Sequence, residues 1–524
     1  MPHHWADFFI IIYNTPKDYN NGSVDFCRVV QHIAYKEKTM KKTTFILIAV
    51  FICLGNFVFA QRHKIPTEKI NVITDAASMQ MDLASYGNIA YEAVLSTDVS
   101  DFSEPTPILI NKYVDNAYDS TLCITLDEFK NYEFREHYSH YNYLKLYPLG
   151  PDEFILTVYY SFSTNRFVFL RIKGTEVISA KGYNLKNQHA YEQQYYAFNG
   201  KDRIYVAFNG NSRFSGKGFD LYLMVFDLDG NLINSVTNRT DEHDNLSGLA
   251  AVGDYVYFSM KSGNYSEKQS IIQFSKDLEQ NKIWAYKHYN SDIRAWDLNA
   301  SEDNLIVSIR KENDDTTFIT RYSADGTFIS SYDMDIDLKG FPKRQSFYTY
   351  PKTVVTDDNI DFFGQILTPN EYWELEPDSY YLAFSMDWNG NKLYEHRYCE
   401  YDSLGLRNFA FINGKYFCTS EHIFESYGIS YGEGIGHIAY NYLVEDIAKD
   451  TDFVTFTKTD VDPFALPDDE NKTFWQDNLV VEPEPIPDWD FSYTLGKIHL
   501  NFAHTNPDSD ELISGIPLFP FSER

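Results

Sequence analysis

Short apolar runs separated by polar turns fill most of the chain, and their spacing is regular. A polar turn followed by a run with polar residues at alternate positions occurs at Gly87-Asn88 (IAYEAVL), Pro151-Asp152 (EFILTVYY) and Lys201-Asp202 (RIYVAF). It recurs at Gly253-Asp254 (YVYFSM), Asp303-Asn304 (LIVSI), Asp358-Asn359 (IDFFGQI) and Asn413-Gly414 (KYFCTS). Period-two alternation predicts strands with one face buried. Successive markers lie 50 to 64 residues apart. Recurrence on that scale signals an array of equivalent units.

A second marker follows the first. Apolar runs flank a tight polar turn at Gly174, at Gly230 (YLMVFDLDGNLINSV), near Glu279, at Gly326 (FITRYSADGTFISSY) and at Gly390 (YLAFSMDWNGNKLYEHRY). Asp-Gly and Asn-Gly between apolar runs are strong hairpin signals, because those residues tolerate positive φ. The second turn is weak in the first and last units, near Asn116 and Lys449. A further apolar run precedes many first turns, as in EQQYYAF before Lys201 and LSGLAAV before Gly253. Each unit therefore reads as four antiparallel strands. No stretch sustains a 3.6-residue period, so helices are expected to be few.

Four antiparallel strands repeated in this way resemble the β-propeller superfamily, from roughly Ser78 to Thr459. The resemblance implies an all-β chain with one propeller of about seven four-stranded blades, six or eight being alternatives. Two β-sandwiches are the competing all-β arrangement. The Trp-Asp and Gly-His signatures of the best-known propeller repeats are absent, and Trp296-Asp297 falls on the first strand of its unit. The propeller is assigned to residues 61–460. Within 61–77, KINVITD is an extended segment that could complete the last blade. Residues 461–524 form an acidic, Pro-rich segment expected to pack on or close the propeller. YTLGKIHLNFAH inside it reads as another strand.

The N-terminus sets the expected compartment. Met40-Lys41-Lys42-Thr43-Thr44 followed by FILIAVFICLGNFVFA has the basic start, apolar stretch and small-residue end of a secretory signal peptide, assigned to residues 40–60. Residues 1–39 lack periodicity and read as an upstream extension from a start codon placed too early. The leader resembles those of Gram-negative envelope proteins, so the protein is expected to be exported: periplasmic, outer-membrane-associated or extracellular. No membrane span is expected in the mature chain. Past Ala60 three cysteines remain, Cys123, Cys399 and Cys418, so the fold is no disulfide scaffold.

Composition narrows the partners. With 45 Lys+Arg against 75 Asp+Glu the formal charge is −30, opposite to what a phosphate backbone requires, so nucleic acid is not expected. The chain holds 41 Tyr, 40 Phe and 7 Trp, side chains that favour strands and large contacts.

Motifs for chemistry are sparse. There is no HExxH, CxxC or Walker loop, and no metal or cofactor is expected. Gly428-Ile429-Ser430-Tyr431-Gly432 matches GxSxG, but no strand–turn–helix context surrounds Ser430, so it reads as a Gly-rich loop. Asp227, Asp229 and Asn231 resemble the start of a calcium loop, yet Asn238 stands where a Glu is needed. Hairpin chemistry is the simpler reading. Aromatic residues in connecting loops are the binding candidates: Tyr265, Tyr372, Trp373, Tyr427 and Tyr431. Ring faces stack on sugars and anchor protein partners. The expected function is non-catalytic binding of a ligand, protein or glycan partner through rim loops. The alternative is a carbohydrate-active hydrolase or lyase with acids in the central channel.

Overall fold

The computed structural model describes residues 67–70 and 78–498, apart from 97–104, 116, 131–142, 162–164, 186–193, 212–218, 264–267, 289–292, 302, 312–316, 337–351, 356–357, 367–378, 401–404, 413–414, 425–435, 445–453 and 465–468. Its strands form seven antiparallel sheets of four or five strands. The first sheet contains Ser78–Tyr86, Ile89–Ser96, Pro105–Val114 and Ala117–Lys130, and the second contains Tyr143–Gly150, Glu153–Ser161, Asn165–Lys173 and Glu176–Asn184. The third comprises Gln194–Phe198, Ile204–Asn211, Phe219–Phe226 and Leu232–Arg239. The fourth comprises Asp244–Val252, Tyr255–Ser262, Lys268–Ser275 and Asn281–His288. The fifth consists of Ile293–Ala300, Asn304–Lys311, Thr317–Ser323 and Phe328–Ile336, and the sixth of Lys352–Val355, Asn359–Ile366, Ser379–Asp387 and Lys392–Glu400. The seventh has Gly405–Ile412, Lys415–Phe424 and Gly436–Val444, and takes its fourth strand, Thr67–Ile70, from the other end of the chain.

First strands of consecutive sheets lie side by side from the first sheet to the sixth. The first strand of the seventh lies against that of the first sheet. Sequential four-stranded sheets, adjacent along their first strands and meeting at the chain's two ends, are the arrangement of a β-propeller.

Packing follows from this geometry. A sheet flanked on both sides buries both faces, so its middle strands need apolar residues at every position. In Ile204–Asn211, Tyr205 and Ala207 join the core shared with the fourth sheet. Ile204, Val206 and Phe208 join the core shared with the second. Five such cores occupy the five successive junctions from first–second to fifth–sixth. Aromatic rings fill them, as where Phe208 stacks on Tyr222 at 5.1 Å and Phe362 on Phe384 at 4.8 Å. Rings of this size cover wide gaps between twisted sheets, which accounts for the aromatic-rich composition.

The tight turns form where the sequence places them. Gly230, Gly326 and Gly390 hold φ of 77°, 87° and 84°, values that favour glycine. Asp227 Oδ1 accepts from the Asp229 and Asn231 amides, and Oδ2 accepts from Asn231 Nδ2. Asp387 does the same with Asn389 and Asn391. The alternating acids at 227–231 thus cap a hairpin. In the fourth sheet the equivalent left-handed residue is Leu278, with φ of 60°. Its side chain is buried in the third–fourth core, which offsets the cost of that backbone conformation.

The C-terminal segment runs against the chain order. Val454–Thr459 pairs with the last strand of the fifth sheet. Phe464 packs into the fourth–fifth core. The helix Asp469–Asn478 then lies against the fourth sheet's last strand and buries Trp475 in the third–fourth core. Val480–Pro483 extends the third sheet, Asp488 bridges to Tyr183 of the second, and Tyr493–Ile498 extends the first. In this belt Val454–Thr459 thus adds a fifth strand to the fifth sheet, and YTLGKI, read from the sequence as a strand, is a fifth strand of the first sheet. Gly182 allows the close approach, because a Cβ there would collide with the Trp489 carbonyl.

Candidate functional site

Antiparallel order gives every sheet two unlike ends. At one end lie the connections between first and second and between third and fourth strands, all tight, from Gly87-Asn88 to residues 388–391. At the other lie the second-to-third connections and the links to the next sheet, including the long segments 131–142, 337–351, 367–378 and 425–435. Long surface connections on a rigid scaffold are where binding residues concentrate.

All five aromatic candidates belong to second-to-third connections. Tyr265 lies in the fourth sheet's, Tyr372 and Trp373 in the sixth's, and Tyr427 and Tyr431 in the seventh's. These five residues lie outside the described residues, as does Ser430. The roots of these loops are fixed by the pairs Ser262–Lys268, Ile366–Tyr380 and Phe424–Gly436.

The root of the Tyr265 loop holds a polar network that the sequence does not reveal. Buried Asp244 accepts from the Thr240 amide at 2.6 Å, and its Oδ1 lies 2.7 Å from Thr240 Oγ1. Thr240 Oγ1 is also 2.7 Å from Ser262 Oγ. The link from third to fourth sheet is thereby tied to the residue preceding the loop. Burial, assisted by repulsion from Asp220, pushes the Asp244 carboxyl up to about 7. Nearby, Lys268 Nζ donates to Glu242 Oε1 at 2.6 Å and stands 3.8 Å above the Phe474 ring of the belt. Burial also pushes the Lys261 ammonium down. Asp244 is fully buried, so its place in the network is to set the loop root.

Three acids lie on first strands, the strands that border a propeller's axis. Asp82 pairs with Lys145 Nζ at 2.7 Å and accepts from the Leu146 amide at 2.8 Å. Asp297 accepts from Asn299 Nδ2 at 3.0 Å, and burial raises its carboxyl. Asp244 is the third. They come from the first, fifth and fourth sheets. Among the described residues no group of three His, Cys, Asp or Glu could hold a metal ion. No described helix is long and apolar enough to cross a membrane.

No protein-family model and no curated protein matches the sequence. Solved structures with loose similarity include the WD40 domain of SCAP from fission yeast, with 8% identity over 72% of this chain and 97% of that one, at a TM-score of 0.34. An oligogalacturonate lyase in complex with manganese shows 10% identity over 71% and 99%, at 0.31. A cobalt-substituted Synechocystis ACO shows 8% identity at 0.27, and here the match spans 60% of that protein's length and 47% of this chain. These values carry no functional argument. The sheet order above establishes the class: the chain is a β-propeller.

Proposed function

We propose that the mature protein is one closed ring of seven blades, exported from the cell, that binds a ligand or protein partner through the loop end of its sheets. The observation that carries this reading is the segregation of the connections. Every aromatic candidate falls between a second and a third strand in chain order, whereas the described first-to-second and third-to-fourth connections are tight turns. A rigid ring with apolar cores at its junctions supplies the fixed frame such loops require. The first-strand acids Asp82 and Asp244 are engaged in structural contacts, the former with Lys145 and the latter with Thr240. That favours binding over hydrolysis in the channel.

The test compares the mature chain with a variant whose residues 367–378 are replaced by a Gly-Ser linker of equal length. Both are applied to a glycan array and to immobilised envelope proteins. Signals present in the first and lost in the second support the proposal. Signals that persist unchanged, or chain cleavage of an arrayed glycan, favour the enzyme reading. For export, the secreted chain should begin at Gln61, and a mature form retaining residues 1–39 contradicts it.

A further inference from the structure

The belt follows a rule. Each of five successive junctions receives apolar side chains from it, in reverse chain order. Val454 and Phe456 enter the fifth–sixth core, Phe464 the fourth–fifth and Trp475 the third–fourth. Ile486 packs against the second–third core, and Trp489, Phe491 and Leu495 against the first–second. Main-chain bonds fix the course. Glu484 N donates to Ser235 O at 2.9 Å, Asn184 N to Pro487 O at 2.9 Å, and Trp489 N to Gly182 O at 2.8 Å.

We propose that the chain beyond Ile498 continues this course onto the last strand of the seventh sheet, Thr67–Ile70, and supplies the apolar plug for the seventh–first junction from Ile516–Phe521. Direction supports this, since the sheet next to the first in the belt's sense is the seventh, whose first strand lies against the first sheet's. The receiving edge is present: Thr67–Ile70 pairs with Gly436–Val444 on one side, and no other described strand pairs with it. Length suffices, because the belt serves five sheets with 45 residues and 26 follow Ile498. The chemistry matches as well. Where the belt plugs two junctions it alternates apolar residues with proline, Val481, Pro483, Ile486, Pro487 and Trp489, and Ile516-Pro517-Leu518-Phe519-Pro520-Phe521 repeats that pattern. Proline, lacking an N–H, suits an outermost strand.

The experiment places p-benzoylphenylalanine at Phe519 of the full mature chain and maps photo-cross-links by mass spectrometry. Adducts to 67–70, 436–444 or 78–86 of the same molecule are expected. Adducts to other sheets or to a second copy, or no adduct, overturn the proposal. A second arm measures hydrogen exchange with and without residues 499–524. Amides of Thr67–Ile70 that point away from Gly436–Val444 should exchange about tenfold faster in the shortened chain. Equal rates in the two chains likewise overturn it.

Discussion

The Tyr332 hydroxyl donates to the Trp388 carbonyl at 3.0 Å, so the last strand of the fifth sheet grips the tight turn of the sixth. The same contact recurs along the series of sheets. Tyr91 donates to Pro151 O, Tyr183 to Gly230 O, Tyr205 to Lys276 O and Tyr257 to Ala324 O. Each joins one sheet to a turn of the next. Ring contacts reinforce them: Trp284 donates to Gly326 O at 3.2 Å, and Arg321 stands 4.2 Å over Trp388.

Replacing Tyr332 by Phe keeps the ring and removes the donor. The Trp388 carbonyl then loses this hydrogen bond, at a cost of about 1–2 kcal/mol. The midpoint of urea unfolding should fall accordingly with an unchanged slope. An unchanged midpoint would show that this contact contributes nothing to joining the sheets.

These hydroxyls also make the fold sensitive to alkali. Burial raises Tyr183 from 10.0 to about 12, and its acceptance of the Leu232 amide only partly opposes the shift. The folded state holds this proton more tightly than the unfolded chain does. Its contribution is therefore complete below pH 10 and is lost as pH rises toward 12. Alkaline unfolding should be less steep in Tyr183→Phe than in the parent between those limits. Identical profiles would remove Tyr183 from the explanation.

Asp244 behaves in the same sense at lower pH. Its folded value of about 7 lies above the ordinary 3.8, so the neutral carboxyl is the form the fold favours. Stability from this group is full below pH 3.8 and declines as pH rises through 7. Asn mimics the neutral form, with an acceptor for the Thr240 amide and a donor for its hydroxyl. The difference in Tm between Asp244→Asn and the parent should therefore grow in the variant's favour from pH 5 to pH 8. A constant difference contradicts the assignment.

The belt's anchoring can be measured at Trp475, which is fully buried in the third–fourth core. Trp475→Ala should cost about 3–5 kcal/mol, as for other large buried side chains. A loss below 1 kcal/mol would mean that the helix only rests on the sheet.

Strands and turns were legible in the sequence because they depend on neighbouring residues. Gly230, Gly326 and Gly390 announce their hairpins through local φ preference, and apolar runs mark the strands beside them. The fourth sheet's turn was harder to place, because Leu278 occupies the left-handed position for the sake of its buried side chain. The belt was legible only as a strapping segment. Its partners lie far off in sequence, as with Val480–Pro483 against Val236–Arg239, and proline hides its strand character. The loop aromatics could be assigned to connections by spacing. That each of them falls between a second and a third strand follows from strand order, which composition does not encode. The Asp244 network was hidden because TDEHD reads as an exposed acidic turn, and only the junction of two sheets buries its last carboxylate.

The central claim, binding through the loop end, is tested most directly by the affinity of the strongest ligand from the array for three proteins. These are the parent, Tyr372→Ala/Trp373→Ala, and Thr175→Ala in a tight turn at the opposite end. Loss of aromatic anchors worth about 2 kcal/mol predicts a Kd about thirtyfold weaker for the double variant. Thr175→Ala should bind as the parent does. Equal affinity in all three, or weakening only in Thr175→Ala, contradicts the account.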